Sequence, residues 1–491
     1  MRTGDEYIKT LNDGRTVLID GEAVQNVAEH PAFRNVIGTI AELFDIAADP
    51  DNGMQYHSAE INGPANRVFS IPRTAEELKL RRQAVERWAK HTHGWVGRSP
   101  DHVGTFFAAF GAHPEVFENR DNAEHDFAGN IRRYYERILA ENLYVSYAII
   151  PPQVSRATTA SGWEGDFLQV GVVRETEEGL IVRGSQMLAT GGAIADEVFI
   201  TCIKPLGPDD VDFAISFALP SATEGLKFLC RRPFAPAATS EFDYPLTSRY
   251  DEPDSLVIFE DVLVPWERVF IDRNVETLRR QFFETGAHAL GNWQAQTRFT
   301  TKLQFIAAVA RKITQVNGTD KIPGVQEKLG ELAALVSSVE SALLAAEYTA
   351  KADSSGMLVP GKRALYGVMG LQSETYPRVI AILRDLVGGG VLQLPSSIAD
   401  MKSPVTAPDV ERYITSPGVT SEERIKLFRL AWDIIGSEFA GRHQQYELFY
   451  AGAPFVVKGV YTYRNYGYDA QVAELDEFLA GYGIDGRKEE S

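Results

Sequence analysis

The sequence predicts an α+β protein in three parts: an N-terminal helical domain over 1–150, a central β-domain over 151–275 and a C-terminal helical bundle with its tail over 276–491. Three observations predict this. Helix-capping and helical apolar spacing mark the first part. Short β-rich runs separated by turn residues mark the second, and a 4-3-4-3-4 apolar seam marks the third.

In the first part, Thr74–Lys90 opens on Thr74 with Glu77 three residues later, so each side chain can satisfy a free backbone N–H of the first turn. Asp101–Phe110 follows Pro100, and Glu124–Glu141 places Phe127, Ile131, Tyr134, Ile138 and Leu139 on one face. From Pro151 the pattern changes. Gln169–Arg174 and Leu180–Arg183 flank Glu177-Glu178-Gly179 as a β-hairpin, and strands are expected over Glu197–Ile203, Asp212–Leu219, Lys227–Arg231 and Ser255–Val264. The polar Pro205–Asp210 loop reads as a mobile flap. Beyond Arg279, helices are expected over Phe299–Val316, Leu365–Leu386 and Ser421–Phe439. Val325, Leu329, Leu332, Val336, Val339 and Leu343 form the seam of another, making the material of a four-helix bundle.

Composition bounds the function. A net charge of −18 argues against nucleic acid or an anionic membrane as partner. No uninterrupted apolar run approaches the length of a membrane span, and Met1–Glu6 has no apolar stretch like a signal peptide, so a cytoplasmic location is expected. Two cysteines, Cys202 and Cys230, cannot supply a disulfide framework, a Cys-rich zinc site or a four-cysteine cluster; buried thiols and no metal are expected. No GxGxxG follows a strand, and Gly388-Gly389-Gly390 is only a glycine run, so a nicotinamide nucleotide site is not indicated.

Several stretches combine rigid backbone with donors. Pro151-Pro152-Gln153-Val154-Ser155-Arg156 stiffens the approach to the β-domain and fixes where an amide and a guanidinium point. Thr190-Gly191-Gly192-Ala193 offers a hydroxyl beside backbone that can approach a flat ring closely. Gly97-Arg98-Ser99-Pro100-Asp101-His102 places a permanent cation and an imidazole at the start of a helix.

Those stretches, with MRTGDEYIKTLNDGRTVLIDGE at the start, Asn142–Arg156 and Gly441-Arg442-His443-Gln444, resemble the oxygenase component of two-component, reduced-flavin-dependent aromatic monooxygenases. This is the 4-hydroxyphenylacetate 3-monooxygenase and chlorophenol monooxygenase family, and it implies an acyl-CoA dehydrogenase-like fold. It implies FAD, taken up as FADH2 from a separate NAD(P)H:flavin reductase, with FMN as the alternative. It also implies a homotetramer that hydroxylates a small aromatic substrate with O2 through a flavin hydroperoxide. By resemblance, Arg98, His102 and Tyr147 are the catalytic positions and Asn292, Trp293 and Gln294 shape the substrate pocket. Ala148, Ile149, Gln153, Val154, Ser155, Arg156, Thr190, Arg231, Arg442, His443 and Gln444 fall at cofactor or subunit contacts.

The chain departs from the family at two of these positions. His102 and Tyr147 stand where the 4-hydroxyphenylacetate enzymes carry tyrosine and histidine, so an altered substrate is expected, with His102 as a base titrating near neutral pH. Ser155 replaces the usual aspartate. The chlorophenol branch has a histidine near Gly291–Gln296; here the nearest is His288. The 4-hydroxybutyryl-CoA dehydratases share the fold but hold a cluster on three cysteines and a histidine, which this chain cannot supply. The rivals are an acyl-CoA dehydrogenase, which needs a carboxylate base in the bundle, and a flavin-binding homologue without chemistry.

Overall fold

A computed structural model describes residues 1–119, 122–154, 158–163, 167–484 and 486–487. The first part holds helices α1 (Gly4–Thr10), α2 (Arg34–Ala48), α3 (Ala75–His91), α4 (Asp101–Ala112) and α5 (Phe127–Glu141). The Thr74–Glu77 capping box forms as the sequence predicts. This part is not purely helical. Strands β1 (Thr16–Ile19) and β2 (Glu22–Ala23) also lie in it. β1 is too short to show an alternating pattern, and of its two partners one is the two-residue β2 and the other lies about two hundred residues away.

The β-region comprises β3 (Val145–Ala148), β4 (Gly171–Glu175), β5 (Gly179–Gln186), β6 (Glu197–Ile200), β7 (Ser216–Pro220), β8 (Leu226–Cys230), β9 (Ser255–Pro265) and β10 (Val269–Ile271). A six-stranded sheet runs β2-β1-β8-β9-β5-β4, with β1 parallel to β8. A four-stranded sheet runs β10-β7-β6-β3, with β3 parallel to β6. The second sheet therefore begins before Pro151, where the prolines end the pairing because they have no N–H to donate. The expected β4–β5 hairpin is present. The Pro205–Asp210 loop is tied down, contrary to a flap: Asp210 accepts from Ser161 N (2.8 Å), Ser161 Oγ (2.7 Å) and Gly207 N (2.8 Å), and Arg279 donates to the Leu206 carbonyl.

Helices α6 (Val275–Glu284), α7 (Ala287–Val316), α8 (Pro323–Tyr348), α9 (Lys362–Val387), α10 (Ser421–Ile435), α11 (Glu438–Phe449) and α12 (Tyr468–Ala480) complete the described chain's longer helices. α7 starts twelve residues before the expected Phe299, because Gly286 at φ +72° provides the turn into it. The seam holds on α8, where Leu332, Val336, Val339 and Leu343 are buried against neighbouring helices. α8 is nevertheless long and apolar enough to cross a membrane by length and composition, with a best-window mean hydropathy of 1.5. The sequence reading missed this because scattered serines and glutamates break the run, while the leucines, alanines and valines around them keep its mean high. Only 28% of that window is buried.

The junction of α3 with α7 bears directly on the site. Gly94 follows α3 at φ +73°, and a Cβ there would meet Lys302 Cβ at 2.7 Å and the Arg298 carbonyl at 2.8 Å. Its own carbonyl accepts from Arg298 Nη1 at 3.0 Å. Gly94→Ala combines a left-handed backbone with a backbone clash, so it is expected to destabilise by about 1–3 kcal/mol or more. The urea unfolding midpoint should fall accordingly, while Gly318→Ala, also at positive φ but with open space around it, should move it less.

Candidate active site

The tetrapeptide Asp251-Glu252-Pro253-Asp254, just before β9, organises the site. Asp251 accepts from Arg231 Nη2 (2.5 Å) and from the backbone of Phe234 and Ala235. Glu252 Oε1 accepts from the N–H groups of Gly97 (3.0 Å) and Arg98 (2.8 Å). The Pro253 carbonyl takes Gly191 N–H at 2.8 Å. Asp254 accepts Thr190 Oγ1 (2.6 Å), Arg231 Nε (2.8 Å) and both Arg442 Nε and Nη2 (2.7 Å each). Burial opposes the charge on Asp254, but Arg442 and then Arg231 outweigh it and hold the carboxyl well below the usual range.

Arg98 stands where these anchors meet. Its carbonyl accepts from Tyr144 Oη (2.8 Å), and the Gly97 carbonyl accepts from Tyr450 Oη (2.9 Å). The guanidinium lies 4.1 Å from the Tyr450 ring centre, 5.2 Å from that of Tyr147 and 5.4 Å from that of Tyr446. Arg98 Nη2 donates to Tyr147 Oη at 2.9 Å, which leaves the Tyr147 proton to be given elsewhere. His102 joins them, its ring 5.4 Å from that of Tyr147. The three predicted catalytic residues thus share one cluster.

A second carboxylate, Asp101, sets the state of His102. Asp101 accepts from Ser99 Oγ (2.5 Å) and from Gln294 Nε2 (2.8 Å). That orients the Gln294 amide, so its Oε1, 3.2 Å from His102 Nδ1, receives the imidazole N–H. His102 Nε2 is then a bare lone pair, buried and without a partner. Burial, then Arg98, push the imidazole well below 6.5, so it is neutral throughout the neutral range and does not titrate there as expected.

The other predicted positions divide. Thr190, Arg231 and Arg442 converge on Asp254, yet each nitrogen of Arg231 donates within the protein, so Arg231 is no open cation for a pyrophosphate. The space a Cβ would take at Gly191 is filled by Tyr144 Oη at 2.3 Å, and at Gly192 by Phe228, so packing within the protein already requires these glycines. His443 is fully buried, 2.9 Å from Lys302 Nζ and packed edge-on against Trp95 and Phe439; it is a core residue, not a surface contact. Gln444 is half-buried, Ala148 buried, Ile149 half-buried, and Gln153 and Val154 exposed. Ser155 and Arg156 lie outside the described residues. Of the pocket trio only Gln294 reaches the cluster. Asn292 donates to His288 O one turn back (2.7 Å), and Trp293 is sealed in the core. His288 sits in a separate aromatic group, with Tyr366 Oη at 2.9 Å.

Sequence reasoning missed Asp101, Glu252, Asp254, Tyr446, Tyr450 and Glu447. Helical spacing could have flagged the last three, since Arg442, His443, Tyr446, Glu447 and Tyr450 fall on one face of α11 and its continuation. Glu447 is fully buried and accepts Arg298 through both oxygens (2.6 and 2.8 Å) and Lys302 Nζ (2.9 Å). Arg298 in turn lies 4.5 Å from the Tyr450 ring centre, opposite the interest of Arg98 in the same ring.

Models of the 4-hydroxyphenylacetate 3-hydroxylase N- and C-terminal parts match residues 3–271 and 278–480. The chain belongs to the 4-hydroxyphenylacetate 3-hydroxylase family. A 4-hydroxyphenylacetate 3-monooxygenase oxygenase component from Thermus thermophilus is 38% identical over 454 residues, 92% of either chain. The crystal structure of such an oxygenase component complexed with FAD and 4-hydroxyphenylacetate superposes with a TM-score of 0.91 at 36% identity, covering 98% of each chain. An archaeal 4-hydroxybutyryl-CoA dehydratase shares the fold, at TM-score 0.87 and 21% identity. Among the described residues no group of histidine, cysteine or carboxylate side chains could hold a metal ion.

Glu447 supplies a test of how the family's helix α11 is held. Burial opposes its charge, but Arg298 and Lys302 hold its pKa down to about 2 from an ordinary 4.5. A depressed carboxyl contributes stability that is complete above 4.5 and is lost as pH falls towards 2. Glu447→Gln leaves the buried Arg298 guanidinium without a counter-charge, while Lys302, which burial already holds down to about 7, gives up its proton; the change should cost about 3–5 kcal/mol at pH 7. Its urea midpoint should also change less between pH 5 and 3 than that of the parent, because the group that takes up the proton is gone.

Proposed function

We propose that this chain is the oxygenase component of a two-component monooxygenase that hydroxylates a phenolic substrate with O2, using reduced FAD supplied by a separate reductase. The observation that carries the reading is the set of buried polar atoms left without partners in one cluster: Arg98 Nη1, Tyr446 Oη and His102 Nε2. Two are donors and one is an acceptor, which suits a phenol passing to phenolate. The nearby carboxylates Asp101 and Asp254 are already engaged, so the cluster favours an anionic oxygen over a cation.

The donor set also fits a flavin. Gln153 stands exposed at the junction of β3 with the loop that follows, and Arg442 keeps Nη1 without a hydrogen-bond partner, 3.6 Å from Glu252. Gln153, Arg442 and the Thr190 oxygen would hold it, with Arg156 by family resemblance. Reduced flavin, when bound, supplies the two electrons with which one atom of O2 enters the ring and the other leaves as water.

The chain's own residues prepare the substrate. Arg98 stabilises the phenolate oxygen, which raises electron density at the ortho carbon. Neutral His102 accepts the phenolic hydrogen bond at Nε2, and the Asp101–Gln294 relay keeps that nitrogen deprotonated. Tyr147, its oxygen occupied by Arg98, directs its proton at the same region. Phe106, edge-on to His102 (5.1 Å) and Tyr147 (6.0 Å), keeps water from the cluster. The acyl-CoA dehydrogenase alternative finds no free base in the two buried carboxylates of α10 and α11: Glu447 is bound to two cations, and Asp433 accepts from the Leu246 and Thr247 N–H groups and the Thr247 hydroxyl. A homotetramer accompanies this reading, as do FAD rather than FMN and the absence of a catalytic metal.

Two outcomes test the proposal. The purified chain should be inert with NADH and oxidised FAD, and should turn over a phenol once a flavin reductase or chemically reduced FAD is added; NADH oxidation coupled to product without reductase would refute it. Arg98→Ala should lose on the order of 2–4 kcal/mol of charge-assisted substrate binding. Reduced flavin would then be consumed mainly to hydrogen peroxide, measured against product; unchanged coupling would remove Arg98 from the site.

A further inference from the structure

We propose that Tyr450 is a positioning residue for the hydroxylation: its oxygen, with that of the Gln294 amide, keeps the His102 proton on Nδ1 and so turns the bare Nε2 towards the phenolic hydrogen. The inference rests on the reading of this site as one for phenols.

Tyr450 is the C-cap residue of α11, and two guanidiniums hold its ring. Arg98 lies 4.1 Å from the ring centre, and Arg298 of α7 lies 4.5 Å from it. Cations beside a phenol ring draw electron density from it and make its hydroxyl a better donor. Burial pushes the Tyr450 hydroxyl up to about 12 against the pull of Arg98 and Arg298, so it keeps its proton through the neutral range. That proton has a fixed destination, the Gly97 carbonyl at 2.9 Å. The Tyr450 oxygen therefore presents a lone pair to His102 Nδ1, 3.3 Å away, beside Gln294 Oε1 at 3.2 Å.

Two acceptors around one ring nitrogen decide the tautomer. With the proton on Nδ1, both oxygens share it in a three-centre bond. With the proton on Nε2, the Nδ1 lone pair would face two oxygen lone pairs in a buried place. Relief would require the Tyr450 hydroxyl to leave the Gly97 carbonyl, or the Gln294 amide to turn away from Asp101. Each acceptor is thus locked by a partner of its own.

The charged and titratable groups facing His102 are Arg98 and Arg298, with Tyr147 at 5.4 Å between ring centres, Tyr450, and Asp101 behind Gln294. Both guanidiniums disfavour an imidazolium, so His102 starts neutral and takes its proton from the substrate. In that step the phenolic O–H bond breaks, an Nε2–H bond forms and the electron pair stays on the oxygen beside Arg98. A phenol that arrives already ionised has no proton to give and gains nothing from the tautomer.

The test compares Tyr450→Phe, which keeps the ring and loses the oxygen, with the parent. The substrates are 4-methylphenol and 4-nitrophenol, with chemically reduced FAD, at pH values from below to above the ionisation of 4-nitrophenol. On 4-methylphenol, un-ionised throughout, kcat/KM of the variant is expected to be about tenfold below the parent at every pH, part of the larger factor a placed base supplies. On 4-nitrophenol the same deficit is expected while the substrate carries its proton, and it should close as the substrate ionises. A purely structural role would slow both substrates equally at every pH. If Tyr450→Phe loses the parent's circular dichroism, Gln294→Leu, which removes the other acceptor, is read in its place with the same expectation. A deficit that is absent, or that persists on ionised 4-nitrophenol, overturns the inference and leaves the phenol reading standing. A parent inactive on both phenols overturns that reading and the inference with it.

Discussion

Asp254 is the point on which the rest of the site depends. It is a largely buried carboxylate, its side chain 16% exposed, that joins Thr190 after β5, Arg231 just after β8 and Arg442 on α11. Those three elements come from both the β-region and the helical C-terminal part. A buried charge is tolerated only when its lone pairs are filled, and here the partners are two guanidiniums and a hydroxyl. Glu252, two residues earlier, carries the same logic to the backbone of Gly97 and Arg98. The position of the Arg98 guanidinium is thus set by contacts to its main chain, which leaves the side chain available for chemistry.

A second buried carboxylate works from the other side. Glu447 draws Arg298 and Lys302 of α7 to α11. Arg298 then faces the Tyr450 ring that Arg98 also faces. Cations on a shared aromatic ring repel one another, so this arrangement persists only because Glu447 neutralises one of them. The chain as a whole carries −18, yet its chemistry sits in a locally cationic, tyrosine-lined cluster. Global charge excludes partners; it says little about a site in which Asp101 and Asp254 are engaged by donors within the protein.

The exchange of residue types at 102 and 147 has a structural reading that the sequence alone lacked. An imidazole at 102 looked like a group titrating near neutrality. Burial and Arg98 keep it neutral, and Gln294 decides which nitrogen bears the proton. The signal for Gln294 was positional, whereas the signal for Asp101 was absent: it read as an acidic residue in the first turn of a helix, which it also is. Arg231 shows the opposite case, since a residue that looked like an open donor has every nitrogen engaged inside the fold.

The sequence by itself determined the order of helical, β and helical regions, the α3 capping box, the α8 seam and the family, because these rest on local spacing and contiguous motifs. It also placed Arg98, His102 and Tyr147 together by resemblance. Tertiary structure decided what spacing cannot encode. β1 joins β8 across the chain, Asp254 gathers three distant elements, and Asp101 sets a tautomer through Gln294 on α7. The physical reason is that hydrogen bonds and ion pairs between buried groups depend on which atoms meet in space and which donors are already used. Burial then multiplies the cost of any left unpaired.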